Sequence, residues 1–108
     1  NRCFISNRVK IKQCDQRSMD DLISLINYSG TDLDLVVDDG SHKLEDQVFT
    51  CLTVMPMLKR GAVYVIEDVA NLEVLEHLKQ HFYLTEFKCK LVTIGKRYDD
   101  KLIIVTNE

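Results

Sequence analysis

Several features that define other classes of protein are missing from this 108-residue sequence. No apolar run approaches the ~20 residues that a membrane-spanning helix needs, and the chain does not open with a signal-peptide pattern. The net charge is −3, and the basic residues are scattered rather than clustered. These absences argue against a membrane-inserted protein and against a nucleic-acid backbone as the main partner.

The four cysteines form no C-x-x-C pair, so a cysteine zinc site is not expected. Cys14, Cys51 and Cys89 each lie among apolar neighbours, which is typical of reduced thiols that pack as small hydrophobic side chains. Reduced thiols indicate a reducing compartment, and we therefore expect a cytoplasmic protein.

The apolar pattern predicts one α/β domain over residues 1–108. Apolar and polar residues alternate over 9–14, which predicts a strand, and the apolar runs at 33–37 and 62–66 are typical of buried strands. Helical spacing follows Ser18 as far as Gly30, and again over about 43–59 and 72–82. The last two runs, 89–94 and 102–105, predict an antiparallel hairpin.

The resulting order is β-α-β-α-β-α-β-β. Strands that alternate with helices are typical of parallel strands joined by right-handed crossovers. The sequence therefore predicts a doubly wound, mostly parallel, Rossmann-like sheet that ends in a C-terminal antiparallel hairpin.

Acidic residues end three of the predicted strands, at Asp15, at the pair Asp38 and Asp39, and at the pair Glu67 and Asp68. Ligands of open parallel sheets bind beyond the carboxyl ends of the strands, and neighbouring strands bring those ends together. Carboxylates that converge repel one another unless a cation lies between them. Oxygen ligands favour Mg²⁺, Mn²⁺ or Ca²⁺ over zinc.

His42 follows Asp39 by three residues, on the loop above the same edge. With an ordinary pKa of about 6.5, a histidine can accept a proton near neutral pH. A cation beside it would acidify a bound hydroxyl, which the imidazole could then deprotonate. A metal and a base in this position suit the activation of an alcohol as a nucleophile.

Each of these residues also has a purely structural explanation. Asp38 and Asp39 precede Gly40 and Ser41, so turn or helix-capping roles are as natural as a functional one. An isolated histidine is more often a surface or capping residue than a catalyst. The functional interpretation depends on all of these residues meeting at one edge of one sheet.

Four sequence blocks resemble the C-terminal part of class I S-adenosylmethionine-dependent methyltransferases. They are C-D-Q-R-S at 14–18, D-D-G-S-H at 38–42, M-P-M-L-K-R-G-A at 55–62 and Y-V-I-E-D at 64–68. Within that family the pattern is most similar to the metal-dependent sugar O-methyltransferases of macrolide biosynthesis and the related cephalosporin-hydroxylase-like group. The resemblance covers about residues 8–70.

The resemblance implies a role for each matching residue. Three of them would be metal ligands, and His42 would be the general base, while Asp15 would accept a hydrogen bond from the cofactor's adenine, with Gln16 beside it. Asp38 would complete this cofactor-binding group, either in a structural role or behind the residues that contact the cofactor. The implied ligands of a Mg²⁺ or similar ion are Asp39, Glu67 and Asp68.

The glycine-rich loop of the family's cofactor site has no counterpart here. Only four glycines are present, and their positions allow no G-x-G-x-x-G. We therefore expect the first two strands of the methyltransferase fold to be lacking. We also expect these 108 residues alone to bind the cofactor weakly and to show little turnover.

These observations lead to one expected function and two alternatives. The first is an S-adenosylmethionine-dependent O-methyltransferase acting on a hydroxyl of a sugar or similar small molecule. The second is a non-catalytic Rossmann-like assembly domain that self-associates through an exposed sheet edge. The third, a metal-dependent hydrolase or phosphoryl-transfer domain, ranks last because no glycine loop could hold a phosphate.

Overall fold

The computed structural model describes residues 9–107, in which helices and strands alternate along most of the chain. The helices are α1 (Met19–Ser29), α2 (Leu44–Val54) and α3 (Glu73–His81), and the strands are β1 (Leu35–Asp38), β2 (Val63–Ile66), β3 (Phe87–Thr93) and β4 (Lys101–Asn107). From residue 19 onward, the order of the elements is the predicted one.

Local sequence signals set the ends of the helices. The side chain of Ser18 caps α1 by accepting a hydrogen bond from the backbone N–H of Asp21, and Gly30 ends the helix with a φ of 89°. Pro56 lies in a 3-10 turn (Met55–Met57) that directly follows α2, as expected where proline cannot continue an α-helix. No helix within residues 9–107 is long and apolar enough to cross a membrane.

The four strands form one mixed sheet in the order β1-β2-β4-β3. β1 and β2 are parallel, whereas β4 is antiparallel to both of its neighbours, β2 and β3. The predicted C-terminal hairpin is therefore confirmed. The sheet is not mostly parallel, because only one of its pairs is a parallel one.

The strand predicted over residues 9–14 does not form; only Val9 takes part in an isolated bridge. Val9 and Ile11 stay 44% and 53% exposed, while the ammonium groups of Lys10 and Lys12 lie 5.7 Å and 5.5 Å from the ring centre of Tyr28. An alternating pattern becomes a strand only where a neighbouring strand supplies hydrogen bonds. No strand of the described chain pairs with this segment.

The three helices share one hydrophobic core with one face of the sheet. Tyr64, Ile66, Ile103 and Val105 point into this core and are fully buried among the apolar side chains of all three helices. The other face is apolar but open at the β1 edge, where Leu35 and Val37 are 56% and 47% exposed. A doubly wound sheet would carry helices on both faces, and no described residue forms a helix on this one.

Candidate functional site

The parallel pairing of β1 and β2 brings the two acidic strand ends together. Asp38 pairs with Ile66 at the end of the ladder, and its carbonyl oxygen accepts a 2.9 Å hydrogen bond from the backbone N–H of Glu67. One carboxylate oxygen from each of Asp39, Glu67 and Asp68 lies within 4.8 Å of the other two. The structure therefore brings together the three predicted metal ligands, which we name the acidic cluster. Asp15 and Asp38, which were expected at the same edge, are not members of this cluster, and the strand expected before Asp15 does not form.

The backbone at Asp68 has an unusual conformation. Its φ is 55°, and it is the only non-glycine residue of the described chain with a positive φ. This left-handed region is unfavourable for most side chains, although aspartate tolerates it better than most. Asp68 lies two residues after the end of β2, and its carboxylate belongs to the acidic cluster.

His42 lies beside the acidic cluster. Its Nε2 atom is 3.8 Å from Oδ2 of Asp68, which is beyond hydrogen-bonding distance but close enough for an ion pair when the imidazole is protonated. The histidine side chain is 60% exposed. The structure therefore leaves the imidazole accessible to a bound molecule and next to a predicted metal ligand.

Asp38 faces the helices and has a structural role. Its Oδ1 atom accepts a 3.1 Å hydrogen bond from the backbone N–H of Gly40, which closes a turn. Burial raises the pKa of Asp38, and the nearby negative charges of Asp39 and Asp46 act in the same direction, whereas its hydrogen bonds from Gly40 and Gln16 act against them. Asp38 therefore stabilises the loop, and its predicted place among the cofactor-binding residues stays a prediction.

Gln16 joins the segment before α1 to the loop after β1. Its Oε1 atom accepts a 2.7 Å hydrogen bond from the backbone N–H of Ser41, and its Nε2 atom donates a 2.9 Å bond to the hydroxyl of Thr50. A longer contact of 3.5 Å joins Nε2 to Asp38. Both ends of the amide are thus used within the protein, and contact between Gln16 and a cofactor stays a prediction.

The same contact explains the glycine in the D-D-G-S-H block. A Cβ atom on residue 40 would lie 2.3 Å from Oε1 of Gln16. The amide therefore reaches the backbone of Ser41 only because Gly40 has no side chain. The glycine is required by a contact that joins residues far apart in the sequence.

Asp15 lies at the rim of an open cavity of about 520 Å³ that Gln16, Arg17, Ser41 and Lys43 also line. Its carboxylate accepts hydrogen bonds from the backbone N–H and the guanidinium of Arg17, and these bonds lower the pKa of Asp15. Because the Asp15 side chain is still 48% exposed, it retains acceptor capacity towards the cavity. Its predicted role in cofactor binding is compatible with this position.

A second, mostly apolar cavity of about 240 Å³ lies between α1, β1 and α2. Cys14 and Gln16 line both cavities, and Tyr64 lines the second one. The Tyr64 hydroxyl is buried and has no hydrogen-bond partner among residues 9–107, and burial raises the pKa of this phenol. The apolar cavity therefore adjoins the predicted cofactor-binding residues.

The sequence did not point to the residues that stiffen the loop after β1. The Ser41 hydroxyl donates a 2.6 Å hydrogen bond to Asp46. The Thr50 hydroxyl donates its one hydrogen to the carbonyl oxygen of Asp46 at 2.7 Å, with the carbonyl oxygen of Gln16 at 3.2 Å as the alternative acceptor. Ser41 is not the capping residue of α2, because the helix begins after Lys43 and no side chain caps it, so these contacts do not follow from a capping pattern in the sequence. The Thr50 contacts depend instead on the packing of α2 against residue 16.

Comparisons with known proteins give no family for this chain. No model of a known protein family matches it, and no curated protein sequence matches it at a significant level.

Proposed function

We propose that this chain forms the acceptor-activating part of a class I S-adenosylmethionine-dependent O-methyltransferase that acts on a hydroxyl of a sugar or similar small molecule. The observation that carries the proposal is the acidic cluster itself, with His42 placed 3.8 Å from one of its carboxylates. The parallel pairing of β1 and β2 places these carboxylates at one point, where a divalent cation would offset their repulsion.

The donor set of the acidic cluster fits a hard divalent cation. All three groups are carboxylates, and no lysine or arginine of the described chain forms an ion pair with any of them. Three unneutralised carboxylates repel one another, and oxygen donors favour Mg²⁺ over softer metals. Asp39, Glu67 and Asp68 would therefore hold the ion, which when bound lowers the pKa of a coordinated hydroxyl.

The residues around the acidic cluster suit the remaining tasks of methyl transfer. His42 is exposed and adjacent, so its imidazole can accept the proton of the acceptor hydroxyl. Asp15 lines the 520 Å³ cavity and can accept a hydrogen bond from an amino group of the cofactor. Gln16 and Asp38 stabilise the loop after β1, which lies between the cavity and the acidic cluster. In the family that the sequence resembles, the rest of the cofactor pocket comes from two strands that would extend the sheet beyond β1.

Calorimetry with Mg²⁺ tests the metal site directly. We expect wild type to bind the ion and Asp39→Ala to bind it at least ten-fold more weakly, because one of three ligands is lost. Asp32→Ala is the matched control, since Asp32 is an exposed acid that bonds Lys59 away from the acidic cluster. A wild-type protein that binds no Mg²⁺, or equal binding by Asp39→Ala, would overturn the proposal.

The open face of the sheet favours a second candidate function, a non-catalytic assembly domain. The side chains of Leu35 and Val37 lie exposed on this face, and no described strand pairs with the outer edge of β1. Contiguous apolar surface and unpaired strand edges promote association. The natural occupant for this candidate is a second copy of the chain.

Sedimentation velocity distinguishes this candidate from a monomer. If the open face drives association, wild type sediments as a dimer or larger species, and Val37→Lys sediments as a monomer because it places a charge on that face. Asn27→Lys is the matched control, since Asn27 is exposed on α1 at the other side of the molecule. A monomeric wild type at roughly 100 μM, a concentration at which interfaces of micromolar affinity are occupied, contradicts the assembly candidate.

A further inference from the structure

The loop between β3 and β4 lies at the same edge of the sheet as the acidic cluster. Because β4 is antiparallel to β2, its first residues lie beside the last residues of β2, and Ile103 pairs with Ile66. The backbone N–H of Val69 then donates a 3.1 Å hydrogen bond to the carbonyl oxygen of Lys101. The loop, residues 94–100, therefore meets the chain one residue after Asp68, and we name it the hairpin loop.

The hairpin loop and the predicted cofactor-binding residues lie on opposite sides of the acidic cluster. Gln16 contacts the loop that follows β1, whereas the hairpin loop lies beside β2 on the other side, because β4 is the next strand in the sheet. If the cofactor binds near Asp15, the acceptor molecule has to approach the acidic cluster from the opposite side, where the hairpin loop lies. This placement makes the loop a candidate for recognising the acceptor.

The hairpin loop turns its acids inward. The Asp100 carboxylate accepts a 3.0 Å hydrogen bond from the backbone N–H of Arg97, and it would lie 2.3 Å from a Cβ atom on Gly95. The Asp99 side chain is only 14% exposed. Lys101 donates a 2.7 Å hydrogen bond to the carbonyl oxygen of Tyr98, which adds a further internal contact.

The outward side of the hairpin loop is basic and aromatic. Lys96 is exposed, and the Arg97 and Tyr98 side chains are 75% and 72% exposed. Arg97 lies 3.5 Å from Asp99 through Nε, so most of its five N–H donors stay open to a ligand. Cationic donors next to an amphipathic ring are suited to a molecule that carries a negative charge and a hydroxylated ring.

We propose that the hairpin loop selects an acceptor that is a polyhydroxylated ring bearing an anionic group. Lys96 and Arg97 bind the anionic group, the ring packs against Tyr98, and a hydroxyl of the same molecule reaches the acidic cluster and His42. This inference rests on the proposed function, because it names the substrate class of the same site. Both basic side chains are exposed, so the selection is electrostatic in part and weakens as salt is added.

A nuclear magnetic resonance titration with matched sugars tests the inference. Glucuronate and glucose share the same ring and differ by one carboxylate, so their comparison isolates the anionic group. In the presence of Mg²⁺, we expect glucuronate to shift the amide signals of residues 94–101 and to bind at least five-fold more tightly than glucose. Glucose 6-phosphate, as a third probe, shows whether a phosphate is preferred to a carboxylate.

Variants assign this preference to particular side chains. The double variant Lys96→Ala/Arg97→Ala should bind glucuronate and glucose equally, while Lys88→Ala/Lys90→Ala should keep the preference, since Lys88 and Lys90 are exposed on β3 away from the loop tip. Lys96→Glu, a single charge reversal, provides a second test should the double variant not fold. Equal affinity of wild type for both sugars, no binding of either sugar, or a preference that survives in the loop variants would overturn the inference.

The same titration separates this inference from the proposed function. Mg²⁺ alone should shift signals from residues 38–42 and 67–69 whether or not a sugar is present. If the protein prefers glucuronate through Lys96 and Arg97 but binds no Mg²⁺, the inference about the hairpin loop stands and the proposed metal-assisted function is overturned. If the protein binds Mg²⁺ but shows no preference between the sugars, the inference about the hairpin loop is overturned and the proposed metal site stands.

Discussion

Asp38 and Asp39 are adjacent in the sequence, yet the structure gives them opposite environments. Asp38 is the last residue of β1, faces the helices and accepts a hydrogen bond from Gly40. Asp39 is exposed and forms no hydrogen bond among residues 9–107, and its carboxylate joins the acidic cluster. Successive strand residues point to opposite sides, so the pleat itself separates a structural acid from one available to a ligand.

The same contrast holds for the two regions to which these acids belong. The loop after β1 is tied to Gln16, Asp46 and Thr50 by short hydrogen bonds. The acidic cluster has no such internal partners within the described chain apart from the 3.8 Å approach of His42. A rigid support beside an unsatisfied set of charges is what a preorganised ligand site requires.

The largest expected effect comes from a substitution that disrupts the contact between Gln16 and the loop after β1. Gly40→Ala should lower the free energy of unfolding by about 2 kcal/mol, because the new Cβ forces Gln16 away and leaves a part-buried N–H without its partner. Urea denaturation followed by circular dichroism measures this change. In a Gln16→Ala background, the same substitution should cost less than about 0.5 kcal/mol, since the obstacle is gone.

Gly61→Ala is the control for the cost of replacing a glycine. Gly61 has a φ of 88° and open space around its Cα, so the substitution should cost about 1 kcal/mol through backbone strain alone. That cost should be the same with and without Gln16. If replacing Gln16 changes the cost of Gly40→Ala and the cost of Gly61→Ala by the same amount, the Gln16 amide does not support the loop.

The second effect separates the two adjacent acids by their response to Mg²⁺. At an ion concentration ten times its Kd, bound Mg²⁺ should stabilise wild type by about 1.4 kcal/mol. Asp39→Asn should lose this stabilisation, because a metal ligand is lost, whereas Asp38→Asn should keep it, because Asp38 points to the helices. Thermal denaturation with and without Mg²⁺ measures both. If both variants lose the stabilisation by Mg²⁺, the proposed difference between Asp38 as a structural acid and Asp39 as a metal ligand is wrong.

The smallest effect is on the pH dependence of stability. Burial raises the folded-state pKa of Asp38 above its unfolded value of 3.8. Between the two pKa values the folded state holds a proton that the unfolded chain has lost, so this group lowers the free energy of unfolding as pH rises through that window. Asp38→Asn should remove this slope. Urea titrations from pH 3.5 upward test the sign.

Asp15 should contribute with the opposite sign. Its hydrogen bonds from Arg17 lower its folded-state pKa below 3.8, so the stability that it supplies is present above that value and is lost as the pH falls through the lowered pKa. Asp15→Asn should flatten the acid limb of a urea titration that is extended to lower pH, measured against wild type. A steeper acid limb in the variant would contradict the assigned direction.

Local sequence signals predicted most of the elements but not the contacts between them. The Ser18 cap and the Gly30 terminus were both readable, since each acts within a few residues. The strand expected at 9–14 failed because its alternation needs a partner strand, which a local pattern cannot supply. The convergence of the acidic cluster was predictable from the parallel strand order, whereas the use of Gln16 as a loop support was not.

The backbone conformation of Asp68 costs the fold stability at the edge of the sheet. A glycine would adopt a φ of 55° without strain and would turn the chain equally well after β2. An aspartate adopts this φ less easily than a glycine, and it adds a third negative charge to the acidic cluster. Under the proposed function, Asp68→Gly should yield a more stable protein that binds Mg²⁺ more weakly than wild type.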